Sequence, residues 1–257
     1  VGERVSAVWE ALVAGIDLMS PADGEGLNMN EDLMSLSPIE QGTLADVVTE
    51  RVRVAIVQGE LRSGQRLTEP MLADRLQVSR SPIREALYRL RSAGLITGSS
   101  ASYVWEPTRK DVDEVYSLRI VLECLAAEWV VARERLTEQD FVRLQSTVDS
   151  LRRALEEQEP MSSFSLVEVD EEFHGYICRK SQHARLVRWW VQMNSQRRIL
   201  LHSCVQHCGT SEVAANMVSG HQVILDALRA GDLETIKERT RIASERRSNQ
   251  IKEWLSV

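Results

Sequence analysis

The most constraining feature of this chain is a pair of short amphipathic stretches between residues 69 and 94. The second reads Ser79-Arg80-Ser81-Pro82-Ile83-Arg84-Glu85-Ala86-Leu87-Tyr88-Arg89-Leu90-Arg91-Ser92-Ala93-Gly94. Ser81 suits an N-cap and Pro82 the first helical position, where its missing N–H costs nothing. Ile83, Leu87 and Leu90 recur at helical spacing as one apolar face, and Gly94 is the expected stop. Opposite that face stand Arg80, Arg84 and Arg91, with two serines at the helix start, an arrangement suited to phosphates and base edges. Solvated arginines on an ordinary surface helix would look similar. The preceding segment decides between the two. Glu69-Pro70-Met71-Leu72-Ala73-Asp74-Arg75-Leu76 is another short amphipathic helix, joined through Gln77-Val78-Ser79. Two short helices with a tight connection, the second basic at its N-terminus, form a helix-turn-helix.

The charge of the whole chain, −7, seems to oppose DNA binding until it is divided. Residues 1–40 hold eight acidic residues and one basic residue, Arg4. Residues 71–91 hold five arginines against Asp74 and Glu85, and the local field governs DNA contact. The 257 residues suffice for two domains, and no run of about 18 apolar residues suggests a membrane span. The chain begins at Val1 without a signal pattern. Cys124, Cys178, Cys204 and Cys208 lack a paired framework spacing, which fits a reducing cytoplasm.

Residues 1–40 read as an N-terminal extension. Val5, Val8, Trp9, Leu12, Val13 and Ile16 pattern a helix over 1–20, and an acidic linker with Gly24, Gly26 and Pro38 follows. Residues 41–107 form the DNA-binding unit. Thr43 caps a helix over 44–58 with Leu44, Val47, Val48, Val52 and Ile56 as its core stripe. After the helix-turn-helix, Leu95-Ile96-Thr97 and Tyr103-Val104-Trp105-Glu106 make a β-hairpin wing. Residues 108–110 are a linker. Residues 111–257 carry almost no strand signal and divide into helices near 111–134, 138–158, 162–180, 183–206, 212–229 and 232–254. The fold class is mainly α: a winged helix-turn-helix with a small β-wing, then an all-α antiparallel helical bundle.

Within the bundle, Asp170 and His174 fall one turn apart on one helix face, where a carboxylate and an imidazole can chelate a divalent cation. Direct binding of an organic ligand and a hydrogen-bonded polar core are the competing readings. Arg119 lies among Val115, Leu118, Leu122 and Leu125, a core face, and must meet a carboxylate, whether a ligand's or that of Glu123 one turn on. Cys204 and Cys208 share a face beside His202 and His207, but no second Cys/His pair stands at zinc-finger spacing. Trp189-Trp190 reads as half core, half interface.

Residues 44–107 resemble the winged helix-turn-helix of the GntR family of bacterial transcription regulators. The resemblance is carried by Ile56-Val57-Gln58-Gly59-Glu60-Leu61-Arg62-Ser63-Gly64-Gln65-Arg66-Leu67, by Leu72-Ala73-Asp74-Arg75-Leu76 and by Val78 through Leu87. The helical order after residue 110 resembles the FCD effector domain of FadR-type members, with six helices as in the VanR-like branch, so the resemblance spans about 44–250. It departs at the wing tip, Gly98-Ser99-Ser100-Ala101-Ser102, which lacks the family's positive charge, at Gln77 where glycine is usual, and at Pro70 where fatty-acid-type relatives often carry arginine. The resemblance implies a homodimeric regulator on a palindromic double-stranded operator. Arg80 and Arg84 would touch bases or phosphates, Ser79 and Ser81 phosphates, and Arg75 the backbone. It implies metal ligands at Asp170, His174 and His221. The family's fourth ligand position is Ala243 here, leaving a place for water or an effector on a divalent ion such as zinc. Arg119 matches the arginine facing the effector pocket, so a small organic acid held by Arg119, Asp170, His174 and His221, relieving repression, is the expected signal. A metal-dependent hydrolytic enzyme, or a DNA-binding protein whose bundle only dimerises, are the alternatives.

Overall fold

The computed structural model describes residues 43–156 and 161–255. The helix and acidic arm expected over 1–40 lie outside them. These described residues form one compact unit. It opens with α1 (Leu44–Val57), capped by a reciprocal pair in which the Thr43 hydroxyl accepts from the Asp46 N–H and the Asp46 carboxylate accepts from the Thr43 N–H. Val48, Val52 and Ile56 are buried, but Leu44 and Val47 are 53% and 62% exposed. The apolar stripe read from the sequence is therefore too wide at its N-terminal end, where no described residue covers Leu44 and Val47.

Strand β1 (Arg66–Leu67) precedes α2 (Glu69–Leu76) and α3 (Arg80–Ser92), and the wing is β2 (Ile96–Thr97) with β3 (Ser102–Val104). The sheet order is β1-β3-β2, all antiparallel, with Arg66 and Thr97 both opposite Tyr103. The two-residue β1 is too short to leave a periodic signal. Helix α2 ends at Gln77 in the left-handed region, φ 53° and ψ 44°. Helix α3 begins two residues earlier than its sequence suggests. Ser79, not Ser81, is the N-cap, and Pro82 is the third helical residue, still among the four whose N–H has no partner within the helix. Ile83, Leu87 and Leu90 are buried as their spacing requires, and Gly94 stops the helix at φ +72°.

Six helices follow: α4 (Arg109–Ala132), α5 (Glu138–Glu156), α6 (Ser163–Lys180), α7 (Ala184–Cys208), α8 (Thr210–Ala230) and α9 (Leu233–Trp254). Residues 108–110, expected as a linker, are the cap and first turn of α4, because Thr108 and Asp111 form a second capping box. Leu118 faces outward at 41% exposure rather than into the core, while Val115 and Leu122 are buried. Trp190 is buried and Trp189 exposed. Helix α7 joins the bundle to the DNA-binding half. Gln192 Nε2 donates to the Ser92 carbonyl (3.3 Å) and Gln196 Nε2 to that of Gly94 (3.1 Å). Among the described residues no helix is long and apolar enough to cross a membrane.

Candidate DNA-reading face and buried polar site

Arg75, Ser79, Arg80, Ser81 and Arg84 are all exposed, on α2, on the turn and on the first turns of α3. Among the described residues neither Arg75 nor Arg80 forms an ion pair. Arg84 does: its Nε and Nη2 each lie 3.0 Å from a different oxygen of Glu69 at the start of α2. That fork braces the two helices against each other and lowers the Glu69 carboxyl from its usual range. Arg91, placed by the sequence on the outer basic face, turns inward instead and donates to Ser102 Oγ of the wing (2.7 Å). Arg89 pairs with Asp46 and Glu85. On the two helices of the helix-turn-helix, the outward positive charge thus comes down to Arg75, Arg80 and a tethered Arg84.

In the bundle, the structure brings together Arg119 from α4, Asp170 and His174 from α6, and His221 from α8. All four are at most 7% exposed. The two oxygens of Asp170 have separate surroundings. Oδ2 receives Arg197 Nη1 (2.6 Å) and Arg119 Nη2 (3.3 Å), while Oδ1 faces His221 Nε2 (3.4 Å) and His174 Nε2 (3.8 Å). On the other side of His174, Nδ1 stands 3.0 Å from Glu123 Oε2. Glu123 Oε1 in turn takes Arg119 Nε (2.9 Å) and Trp190 Nε1 (3.2 Å). Arg119 therefore meets the carboxylates of both Glu123 and Asp170.

Burial opposes ionisation of both acids, yet the arginines prevail. Arg119 and His174 hold Glu123 at about 2, and Arg119 with Arg197 holds Asp170 well below the usual carboxylate range. His221 is lowered by burial, against its bond to Asp170, and so is neutral at pH 7. A neutral imidazole is the form that ligates metals.

The donor set fits a divalent ion. Asp170, His174 and His221 each offer one atom, all within 4.8 Å of one another. Tetrahedral ligands at zinc bond lengths are about 3.4 Å apart, close to the Asp170 spacings. Glu123 holds Nδ1 of His174 and leaves Nε2 for the ion, the usual carboxylate–histidine support. Nδ1 of His221 is buried without a partner among the described residues. Ala243 is exposed on α9 and supplies no ligand atom; the buried residue nearest it on the inner face is Ser244, and one turn earlier Thr240 lines a small cavity with Glu123 and His174. That cavity measures about 10 Å³, near the least that holds one water. Cys204 and Cys208 lie 3.7 Å apart, and burial pushes the Cys208 thiol up to about 11, so that thiol is protonated at neutral pH.

Sequence reasoning missed Arg197, Asn194 and Trp190, and treated Glu123 only as a rival partner for Arg119. A signal existed for Arg197. Trp190, Asn194, Arg197, Leu201 and Cys204 recur at helical spacing, placing a charge on the buried face of α7.

Residues 44–101 match the profile of bacterial regulatory proteins of the gntR family, and residues 114–243 match that of the FCD domain. The HTH-type transcriptional regulator McbR of Escherichia coli K12 is 30% identical over 182 residues, 68% of this chain and 78% of its own. The gluconate operon transcriptional repressor of Bacillus subtilis is 28% identical over 188 residues, 72% and 75% of the two chains. The solved structure of E. coli McbR/YncC superposes with a TM-score of 0.70 at 25% identity, covering 83% of this chain and 99% of that one.

Proposed function

This chain belongs to the GntR family and carries an FCD domain, which makes it a DNA-binding transcriptional regulator and not an enzyme, and we propose that it is a metal-assisted sensor of a small organic acid. It acts in the cytoplasm as a homodimeric repressor, each α3 reading one half of a palindromic operator. Repression is favoured by the likeness to a named operon repressor. Residues 41–107 read DNA, and 111–257 sense and dimerise. Arg80 and Arg84 reach bases or phosphates, Ser79 and Ser81 bind phosphates, and Arg75 holds the backbone.

The observation that carries the sensing half is Asp170 Oδ1 facing two imidazole nitrogens while its other oxygen is held by two arginines. Asp170, His174 and His221 would hold the ion, whose chemistry is to bind an acidic oxygen at an open position. An incoming carboxylate competes with Asp170 for Arg119 and Arg197, and so loosens α4, α6 and α7 from one another. Helix α7 also grips the end of α3 through Gln192 and Gln196. A ligand that prefers the loosened arrangement changes the α3 positions open to the dimer, and with them operator affinity.

The test is elemental analysis with native mass spectrometry on protein purified without chelator. About one divalent ion per subunit, absent from a His174→Ala variant, is expected. A protein that takes up no ion after zinc supplementation would leave Arg119 and Arg197 as the acid's only holders and end the metal reading.

A further inference from the structure

The buried polar site holds more positive than negative charge. Arg119, Arg197 and Arg247 are 7%, 1% and 8% exposed. The carboxylates beside them among the described residues are Glu123, which pairs with Arg119, and Asp170, which is shared by Arg119 and Arg197; neither pairs with Arg247. Arg247, on α9, has only neutral hydrogen-bond partners among the described residues: it donates to Gln250 Oε1 (3.0 Å) and lies 3.5 Å from Cys204 Sγ. A guanidinium buried without a counter-charge is costly unless something anionic arrives.

Two donors at the same place also lack acceptors. Arg197 directs Nε to Asn194 (2.5 Å) and Nη1 to Asp170 (2.6 Å), but its Nη2 is buried without a partner among the described residues. The Tyr116 hydroxyl, one turn before Arg119 on α4, is likewise buried and unpartnered. The charges of Arg197, Arg247 and Arg119 all act on that hydroxyl; burial nevertheless pushes it up to about 12, so it remains a proton donor. Helices α4, α7 and α9 therefore bring Arg197 and Arg247 near enough for their charges to act on the Tyr116 hydroxyl, and that hydroxyl and Arg197 Nη2 have no acceptor among the described residues. A water would satisfy two of the donors but leave the charge; a carboxylate satisfies both.

We propose that Arg197, Tyr116 and Arg247 form an anion subsite beside the Asp170 cluster, so that the effector carries two acidic groups rather than one. One group meets Arg119 and the Asp170–His174–His221 donors, and the other meets this subsite. The inference rests on the reading above for the first group and on the unpartnered donors for the second.

Isothermal titration of the full chain, zinc-supplemented, with acetate, malonate, succinate and glutarate tests it. A charged hydrogen bond changes affinity by about tenfold or more. At least one diacid should therefore bind at least tenfold more tightly than acetate. Tyr116→Phe and Arg247→Gln should each remove about that factor from the diacid while leaving acetate affinity and zinc uptake unchanged. Tyr116→Phe is nearly isosteric and decides the matter if Arg247→Gln does not fold. If acetate binds and no diacid binds better, or if Tyr116→Phe keeps the diacid preference, the subsite is wrong and the single-acid reading stands. If neither acetate nor any diacid binds, both readings fall.

Discussion

Replacing Asp170 by asparagine keeps the shape of the side chain and removes the charge that neutralises Arg197. Arg119 would retain Glu123 at 2.9 Å, but Arg197, 1% exposed, would lose its only carboxylate among the described residues. Breaking one partner of a buried ion pair costs about 3–5 kcal/mol. The asparagine oxygen still accepts one hydrogen bond, so the lower end, about 3 kcal/mol, is expected. At about 2–4 °C per kcal/mol for a chain of this size, the Tm should fall by roughly 6–12 °C. The assay is urea and thermal unfolding followed by far-UV circular dichroism, in EDTA so that metal loss does not contribute. In an Arg197→Met background the same substitution should cost less by at least about 1 kcal/mol, because the charge it would strand is gone. A loss under about 1 kcal/mol, or strict additivity of the two substitutions, would refute the claim that this pair is a coupled buried unit.

Acid should unfold the bundle through the same residues. The folded-state carboxyl of Glu123 is depressed to about 2, so its stabilisation is complete above about pH 4.5 and lost as the pH falls towards 2; a Glu123→Gln variant whose unfolding midpoint keeps the same acid dependence would contradict this. Gly94→Ala meets φ +72° and a Cβ position 2.7 Å from Gln196 Nε2; it should cost about 1–2 kcal/mol, read by urea titration. Glu69→Gln removes the carboxylate that tethers Arg84, and should tighten DNA binding several-fold in fluorescence anisotropy; weaker binding would mean that the tether positions Arg84 for DNA. Arg80→Ala should lower the salt slope of binding by about one and leave the Tm within about 2 °C.

Much of the architecture was legible because the chain repeats its signals. Thr43 marks the start of α1, and Ile83, Leu87 and Leu90 keep helical phase through α3; Thr108 with Asp111 carries the same cap spacing as Thr43 with Asp46, yet reads as a linker beside Pro107. Where periodicity is the only guide, errors fall at element edges. Leu44 and Val47 continue the stripe of α1 past the point where another helix covers it, and Leu118 sits between faces of α4. Ser81 looked like a cap because it precedes proline, yet Ser79 ends the turn after the left-handed Gln77 and fills that place. In the buried site the i,i+4 pairs Asp170/His174 and Arg119/Glu123 were visible, since one helix carries each. The convergence of Arg197 and Trp190 on them was not, because it depends on how α7 crosses α4 and α6. No spacing within one helix encodes that crossing. Arg91 shows the same limit: a basic residue on an outer helical face in sequence, it is drawn inward by Ser102 of a strand eleven residues away.

Under the proposed function, chemistry at the Asp170 site is felt at α3. Fluorescence anisotropy on DNA selected by the protein from genomic fragments, titrated with zinc and then with the diacid that binds best, tests it directly. A shift of at least tenfold in DNA affinity is predicted, reduced in Gln196→Ala, whose side chain links α7 to the end of α3. Unchanged affinity while zinc and the diacid are demonstrably bound would contradict it, and would leave the helical domain as a dimerisation module alone.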